Sequence, residues 1–132
     1  GVGFLGGRID HELAAMNVLA KYPDKRVVLV GAEDLCFLCP QDFSMVLEPG
    51  TRVSLFPMGP VAGVVSEGRR WAVAGRSFEP GGRVGTSNVA TGGRVRLGFD
   101  APRMLVILPA PLLAGVAATL RGAPAFSWPG SP

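Results

Sequence analysis

The stretch that decides the fold is RVSLFPMGPVAGVVSEG, residues 52–68. It holds two short apolar-rich runs, RVSLFPM (52–58) and VAGVVSE (61–67), separated by Met-Gly-Pro and closed by Glu-Gly. Arg52-Val53-Ser54-Leu55 alternates polar with apolar, the period of a half-buried strand. The same grammar continues on both sides: LCFLC (35–39), FSMVLE (43–48), RRWAVAG (69–75), RVRLGF (94–99) and RMLVILP (103–109). Pro-Gly and Pro-Gly-Gly turns part these pieces. Strands spaced by roughly 8–12 residues with turn signals between them predict a β-sandwich or barrel. The expected class is therefore mainly β.

The N-terminal segment reads differently. In DHELAAMNVLAKY (10–22), Leu13, Met16, Asn17, Leu19 and Ala20 fall at helical spacing, and Ala14 and Ala15 favour helix. Asp10 suits an N-cap, Glu12 suits the first turn, and Pro23 ends the helix. RVVLV (26–30) is a continuous β-branched run, as in a strand covered on both faces. One helix and one strand cannot cover their own apolar faces. The expectation is that they are the last elements of an α/β domain whose sheet lies upstream and is missing here. The division drawn is 1–31 for that tail, 32–108 for the sandwich and 109–132 for an extension. In the extension, PLLAGVAATLRG (111–122) suits a helix and APAFSWPGSP (123–132) a tail.

Composition narrows the functional classes. With 132 residues and 48% hydrophobic side chains, the chain has room for one well-filled core and no sign of disorder. The net charge of +3 suits a phosphate-bearing ligand or simple solubility. The arginines are scattered from Arg8 to Arg121 without aromatic interleaving, so no nucleic-acid partner is expected. Cys36 and Cys39 form a single C-x-x-C pair with no second pair, and His11 is the only histidine. A zinc ribbon is excluded, and core cysteines are expected ahead of redox chemistry. The longest apolar stretch, 104–120, is broken by prolines and a glycine, and no secretory leader is evident. A soluble, cytoplasmic protein without membrane contact is expected.

Three motifs carry chemistry. Gly6-Gly7-Arg8-Ile9-Asp10-His11 combines a backbone able to approach phosphate, a forked guanidinium and a helix start. An acid there is useful when a divalent cation sits between it and the phosphate; otherwise the motif is a capped glycine turn. In GGRVGTSNVATGG (81–93), Thr86, Ser87 and Asn88 offer hydroxyls and an amide to a polar heterocycle, or satisfy their own turn. In SEGRRW (66–71), Trp71 either stacks on a flat or cationic ring or packs into the sandwich.

Together and in this order, the motifs resemble thiamine pyrophosphokinases. GGRIDHELAAMN (6–17) resembles that family's Gly-Gly-Arg-x-Asp turn with its following Asn. VSLFPMGPVAGVVSEGRRWAV (53–73) resembles its strand, Pro-x-Gly, strand, Gly-x-x-Trp segment, and GGRVGTSNVATGGRVRL (81–97) its Thr-Ser-Asn segment. The resemblance implies an N-terminal α/β nucleotide-binding domain followed by a C-terminal β-sandwich, in a homodimer. It implies transfer of the pyrophosphoryl group of ATP to thiamine, giving thiamine diphosphate and AMP, with Mg2+ as cofactor. Gly6, Gly7 and Arg8 would meet the ATP phosphates, with Arg8 and Asp10 catalytic and Asp10 linked to Mg2+. Thr86, Ser87, Asn88 and Trp71 would line a thiamine pocket shared between subunits. The family's other metal acids belong to the α/β domain, so this chain by itself is expected to be inactive. The alternative is a non-catalytic or regulatory sandwich with a thiamine-like pocket, or an interaction domain whose motifs are only turns and caps.

Overall fold

The computed structural model describes residues 8–68, 72 and 74–123. Helix α1 (Ile9–Lys21) opens it, and nine strands follow: β1 (Val28–Val30), β2 (Asp34–Leu38), β3 (Phe43–Leu47), β4 (Arg52–Pro57), β5 (Val61–Glu67), β6 (Ser77–Phe78), β7 (Gly85–Val89), β8 (Gly93–Phe99) and β9 (Met104–Pro109). A 3-10 turn (Ala110–Leu112) leads into helix α2 (Leu113–Gly122). The strands form two sheets, β1-β2-β9-β4-β7 and β3-β8-β5-β6, and every strand pairing is antiparallel. This is the mainly β sandwich that the alternation predicts.

After β2 the chain changes sheet at every connection except β5 to β6. Each strand therefore delivers its inward side chains to a core built by both sheets. Leu35 and Phe37 from β2 meet Phe43 from β3, Val53 and Leu55 from β4, Val95 and Leu97 from β8, and Met104, Val106 and Leu108 from β9. The rings of Phe37 and Phe43 lie 5.1 Å apart and tilted, a favourable aromatic contact across the sheets. Helix α2 completes this core with Val116 and Leu120. The helix expected over 111–122 is thus present, its first residues wound as the 3-10 turn. Residues 124–132 lie outside the described structure.

Helix α1 lies on the outer face of the five-stranded sheet. Ala15 and Leu19 pack there with Leu29 of β1, Cys36 of β2 and Leu105 of β9. The helix begins two residues earlier than the Asp10 cap predicts: Arg8 is the N-cap and makes no side-chain capping bond. Asp10 lies inside the first turn, and its Oδ1 accepts the His11 N–H at 2.9 Å. First-turn amides lack helical partners, so the carboxylate is satisfied without being the cap. The strand predicted over 26–30 is β1, hydrogen-bonded to β2 in register Leu29↔Cys36. The division at residues 31–33 thus falls in the turn of a β1–β2 hairpin.

Two features differ from the sequence pattern. Residues 81–93 read as a polar loop, yet Gly85–Val89 is a strand, because β4 presents a free edge that β7 covers. In RRWAVAG, residues 69–71 and 73 lie outside the described structure, and Ala74 makes an isolated bridge to Gly63.

Leu120 is 5% exposed and reaches the core from a helix near the C-terminus. Leu120→Ala is expected to lower the unfolding free energy by about 2–3 kcal/mol, read from the urea midpoint at unchanged slope. A change below about 0.5 kcal/mol, the range of surface substitutions, contradicts this placement of α2.

Candidate functional site

The polar chemistry of the sandwich concentrates where β7 meets β4. Arg52 faces Val89, Val53 faces Asn88, and then the register shifts so that Leu55 faces Gly85. Ser54 alone therefore stands opposite both Thr86 and Ser87, which makes a β-bulge. Ser87 takes a left-handed backbone, φ 61°, the only non-glycine described residue with positive φ. For an L-residue this costs roughly 1–2 kcal/mol. Its N–H is turned out of the ladder and donates instead to Ser54 Oγ at 2.9 Å.

The bulge separates the three motif residues. Thr86 and Ser87 are exposed, whereas Asn88 is buried on the inner side opposite Val53. Asn88 Oδ1 accepts the Val89 N–H at 2.9 Å. The structure therefore brings the Thr86 and Ser87 side chains to the surface and turns the Asn88 amide toward the strand. Trp71, the fourth residue expected on this surface, lies outside the described residues, as do Gly6 and Gly7.

Gly68, which opens the Gly-x-x-Trp segment, is described. Its φ is +77°, and a Cβ would come within 2.2 Å of the Arg94 carbonyl oxygen. Its own carbonyl accepts the Thr91 N–H at 2.9 Å, tying the start of this segment to the residues after β7. Only glycine fits both the left-handed backbone and the close approach.

Arg8 and Asp10 sit at the start of α1. The Arg8 Nη2 group donates to Asp10 Oδ2 at 2.6 Å, with both side chains more than half exposed. Helix α1 covers the β1, β2 and β9 portion of the sheet, while β7 forms the opposite edge. The phosphate motif and the Thr-Ser-Asn motif are thus not joined in one pocket by the described residues. The described structure has clefts of about 370 and 440 Å3, and neither is lined by Arg8, Asp10, Thr86, Ser87 or Asn88. The second runs between Glu12 and Met16 of α1 and the β1–β2 turn at Glu33 and Asp34. Asp34 at its rim is engaged by Arg52. Among the described residues no group of three or more His, Cys, Asp and Glu could hold a metal ion. For a divalent cation they offer, at the phosphate motif, the single Asp10 carboxylate.

The cysteines lie on opposite faces of β2's sheet. Cys36 faces α1 and Cys39 belongs to the inter-sheet core. Both are free and buried, as expected of core cysteines. Burial, reinforced by the nearby Asp34 charge, pushes the Cys36 thiol from its ordinary 9.0 up to about 12. No helix among the described residues is long and apolar enough to cross a membrane.

Fold and motifs together define a class: an interlocked antiparallel sandwich whose outermost strand presents a Thr-Ser pair from a bulge. Residues 41–104 match the sequence model of the family described as thiamin pyrophosphokinase, vitamin B1 binding domain. This segment makes up 64 of the chain's 132 residues. The chain is 35% identical over 106 residues to thiamine pyrophosphokinase 1 of Oryza sativa subsp. japonica, covering 76% of this chain and 40% of that protein. It is 36% identical over 93 residues to thiamine pyrophosphokinase 2 of Arabidopsis thaliana, covering 66% and 35%. The chain spans roughly two fifths of the length of the curated relatives it matches. Among solved structures, yeast thiamin pyrophosphokinase superposes with a TM-score of 0.70 at 18% identity, over 92% of this chain and 41% of that one. The Candida albicans enzyme gives 0.68 at 19%, over 82% and 42%. At such identities these two likenesses speak to the fold.

Outcomes follow for Gly68 and for Cys36. Gly68→Ala is expected to destabilise the protein by about 2 kcal/mol or more, seen as a fall in Tm, since both its backbone conformation and its contact with Arg94 forbid a side chain. Cys36 is expected to resist thiol reagents at pH 8 in the native state and to react on unfolding. Its raised pKa also sets a direction. From pH 9.0 toward about 12 the unfolded thiol gives up its proton while the folded one keeps it, so unfolding becomes easier as pH rises through that window. Cys36→Ser is expected to flatten this alkaline decline in a pH series of denaturant midpoints.

Proposed function

We propose that this chain is the thiamine-binding part of a thiamine pyrophosphokinase. The reaction is transfer of the pyrophosphoryl group of ATP to thiamine. The hydroxyethyl oxygen of thiamine forms a bond to the β-phosphorus, the bond from that phosphorus to the α-phosphate oxygen breaks, AMP leaves and the hydroxyl proton is released. The single observation that carries the reading is the match of residues 41–104 to the vitamin B1 binding domain. The Thr86–Ser87 bulge supplies hydroxyls at the surface of that domain. The relatives and sandwich neighbours named above are pyrophosphokinases, and nothing among them favours the non-catalytic alternative.

In this proposal Thr86 and Ser87 hydrogen-bond thiamine, Asn88 holds their strand through the Val89 N–H, and Trp71 stacks on a ring of the substrate. Gly6, Gly7 and Arg8 receive the ATP phosphates. Asp10 contributes one carboxylate toward Mg2+, which supplies charge neutralisation on the phosphates. Arg8 already pairs with Asp10, so the guanidinium is held beside the acid and aimed from one helix end. The proposed active unit is a homodimer in the cytoplasm, in which residues 1–31 join the α/β part and a second subunit brings the phosphate motif toward the Thr-Ser pair. Such an arrangement accounts for the separation of the two motifs across one sheet. On this view the 132-residue chain alone releases no AMP.

The test is AMP formation from ATP and Mg2+, with and without thiamine, by the full polypeptide that carries this segment. Thiamine-dependent AMP is expected. ADP in its place defeats the mechanism, and thiamine binding without turnover returns the non-catalytic alternative. Asp10→Asn is expected to lower kcat about 100-fold while thiamine affinity stays within about twofold, as for loss of a group that acts on transferred charge.

A further inference from the structure

Two polar residues are buried among the described part of the chain, Ser54 and Asn88, each 4% exposed. They flank the same bulge: Val53 pairs with Asn88, and Ser54 is the next residue on β4. Burying a hydroxyl in a sandwich is unfavourable unless it makes a hydrogen bond that matters locally. The bond Ser54 makes is to the Ser87 N–H, at 2.9 Å, where the backbone takes its left-handed turn. The bulge leaves that amide without a ladder carbonyl, and the Ser54 oxygen is the acceptor that replaces it.

We propose that Ser54 is a positioning residue for thiamine, acting through Ser87; this rests on the reading of Thr86 and Ser87 as thiamine-facing residues. Ser54 sits on β4, which β9 and β7 pair on its two sides, so its oxygen is fixed. Ser87 sits on the edge strand and can relax. The hydrogen bond offsets the unfavourable left-handed backbone and sets where the Thr86 and Ser87 hydroxyls point. With the acceptor removed, β7 retains its other pairings to β4, while the bulge reverts toward ordinary extended backbone. The hydroxyls then leave the positions that the substrate requires.

The experiment compares Ser54→Ala and Ser54→Thr with the unmodified full polypeptide, reading thiamine-dependent AMP release and Tm. Ser54→Ala is expected to raise KM for thiamine roughly tenfold, as for loss of one partly buried hydrogen bond, with KM for ATP and kcat within about twofold. Ser54→Thr keeps the acceptor oxygen and is expected to stay within about twofold of the unmodified protein in all three constants. Amide exchange at Ser87 is expected to speed up in the Ala variant and not in the Thr variant. A lowered Tm with KM for thiamine unmoved means that the hydrogen bond is structural only, and overturns the assignment. So does a Thr variant as impaired as the Ala variant. A thiamine-dependent unmodified protein with unaffected variants defeats the Ser54 assignment alone. An unmodified protein that needs no thiamine defeats the functional reading and this assignment with it.

Discussion

The structure depends on two corners, where the chain leaves one sheet for the other, being stitched side by side. Met58–Pro60 carries the chain from β4 to β5, and Asp100–Arg103 carries it from β8 to β9. The Met58 N–H donates to the Arg103 carbonyl at 2.7 Å, and the Arg103 Nη1 group donates to the Pro60 carbonyl at 3.0 Å. Ala62 and Asp100 exchange a further pair: the Ala62 N–H to Asp100 Oδ1 at 2.8 Å, and the Asp100 N–H to the Ala62 carbonyl at 3.0 Å. Corner backbone would otherwise need water or an unrelated partner for its polar groups. Here each corner satisfies the other, and β4, β5, β8 and β9 are delivered to both sheets in fixed register.

That fixed register lets an edge strand depart from regularity. β9 and β4 are interior strands of their sheet, and their inward residues Val53, Leu55, Met104, Val106 and Leu108 are almost wholly buried. A one-residue slip on either would turn this set outward. β7 pairs on one side only, with a two-against-one mismatch against β4. Irregular backbone at a sheet's rim disturbs few pairings, and it re-aims side chains that a regular strand would alternate between faces. The Thr86–Ser87–Asn88 segment shows the result, with two polar residues outward and one inward.

The sandwich itself was legible because alternation survives in most of its strands. Val61–Glu67 matches the run read from the sequence, and Phe43–Leu47 and Met104–Pro109 differ from theirs only at an end. β7 was not legible, since Gly-Thr-Ser-Asn-Val has the composition of a turn and becomes a strand only because β4 offers it an edge. Tertiary pairing outweighed local preference there. The α1 start lies two residues before the one Asp10 predicts, because Asp10 is a good capping residue in isolation while the backbone already turns at Arg8. Ser54 is inconspicuous in the sequence for the converse reason. Alternation places it on the outer face with Arg52, and outer-face serines are ordinary; its near-complete burial follows from what packs around it. A polar residue in an otherwise apolar central run, opposite a glycine-flanked polar segment, was the available signal.

The distribution of strain completes the picture. The positive-φ positions among the described residues are glycines apart from Ser87. A glycine at that position would take the left-handed backbone with little cost but would remove a hydroxyl from the surface. Retaining serine keeps the hydroxyl and leaves the backbone strained, so the strain must be met by a neighbour whose own position does not yield. Ser54 meets this condition because both its sides are paired and its side chain is buried. Strain of this kind persists where the surrounding structure over-determines it. In this chain the over-determination begins at the stitched corners, passes along β4 as fixed register, and ends at one hydrogen bond beneath the two surface hydroxyls.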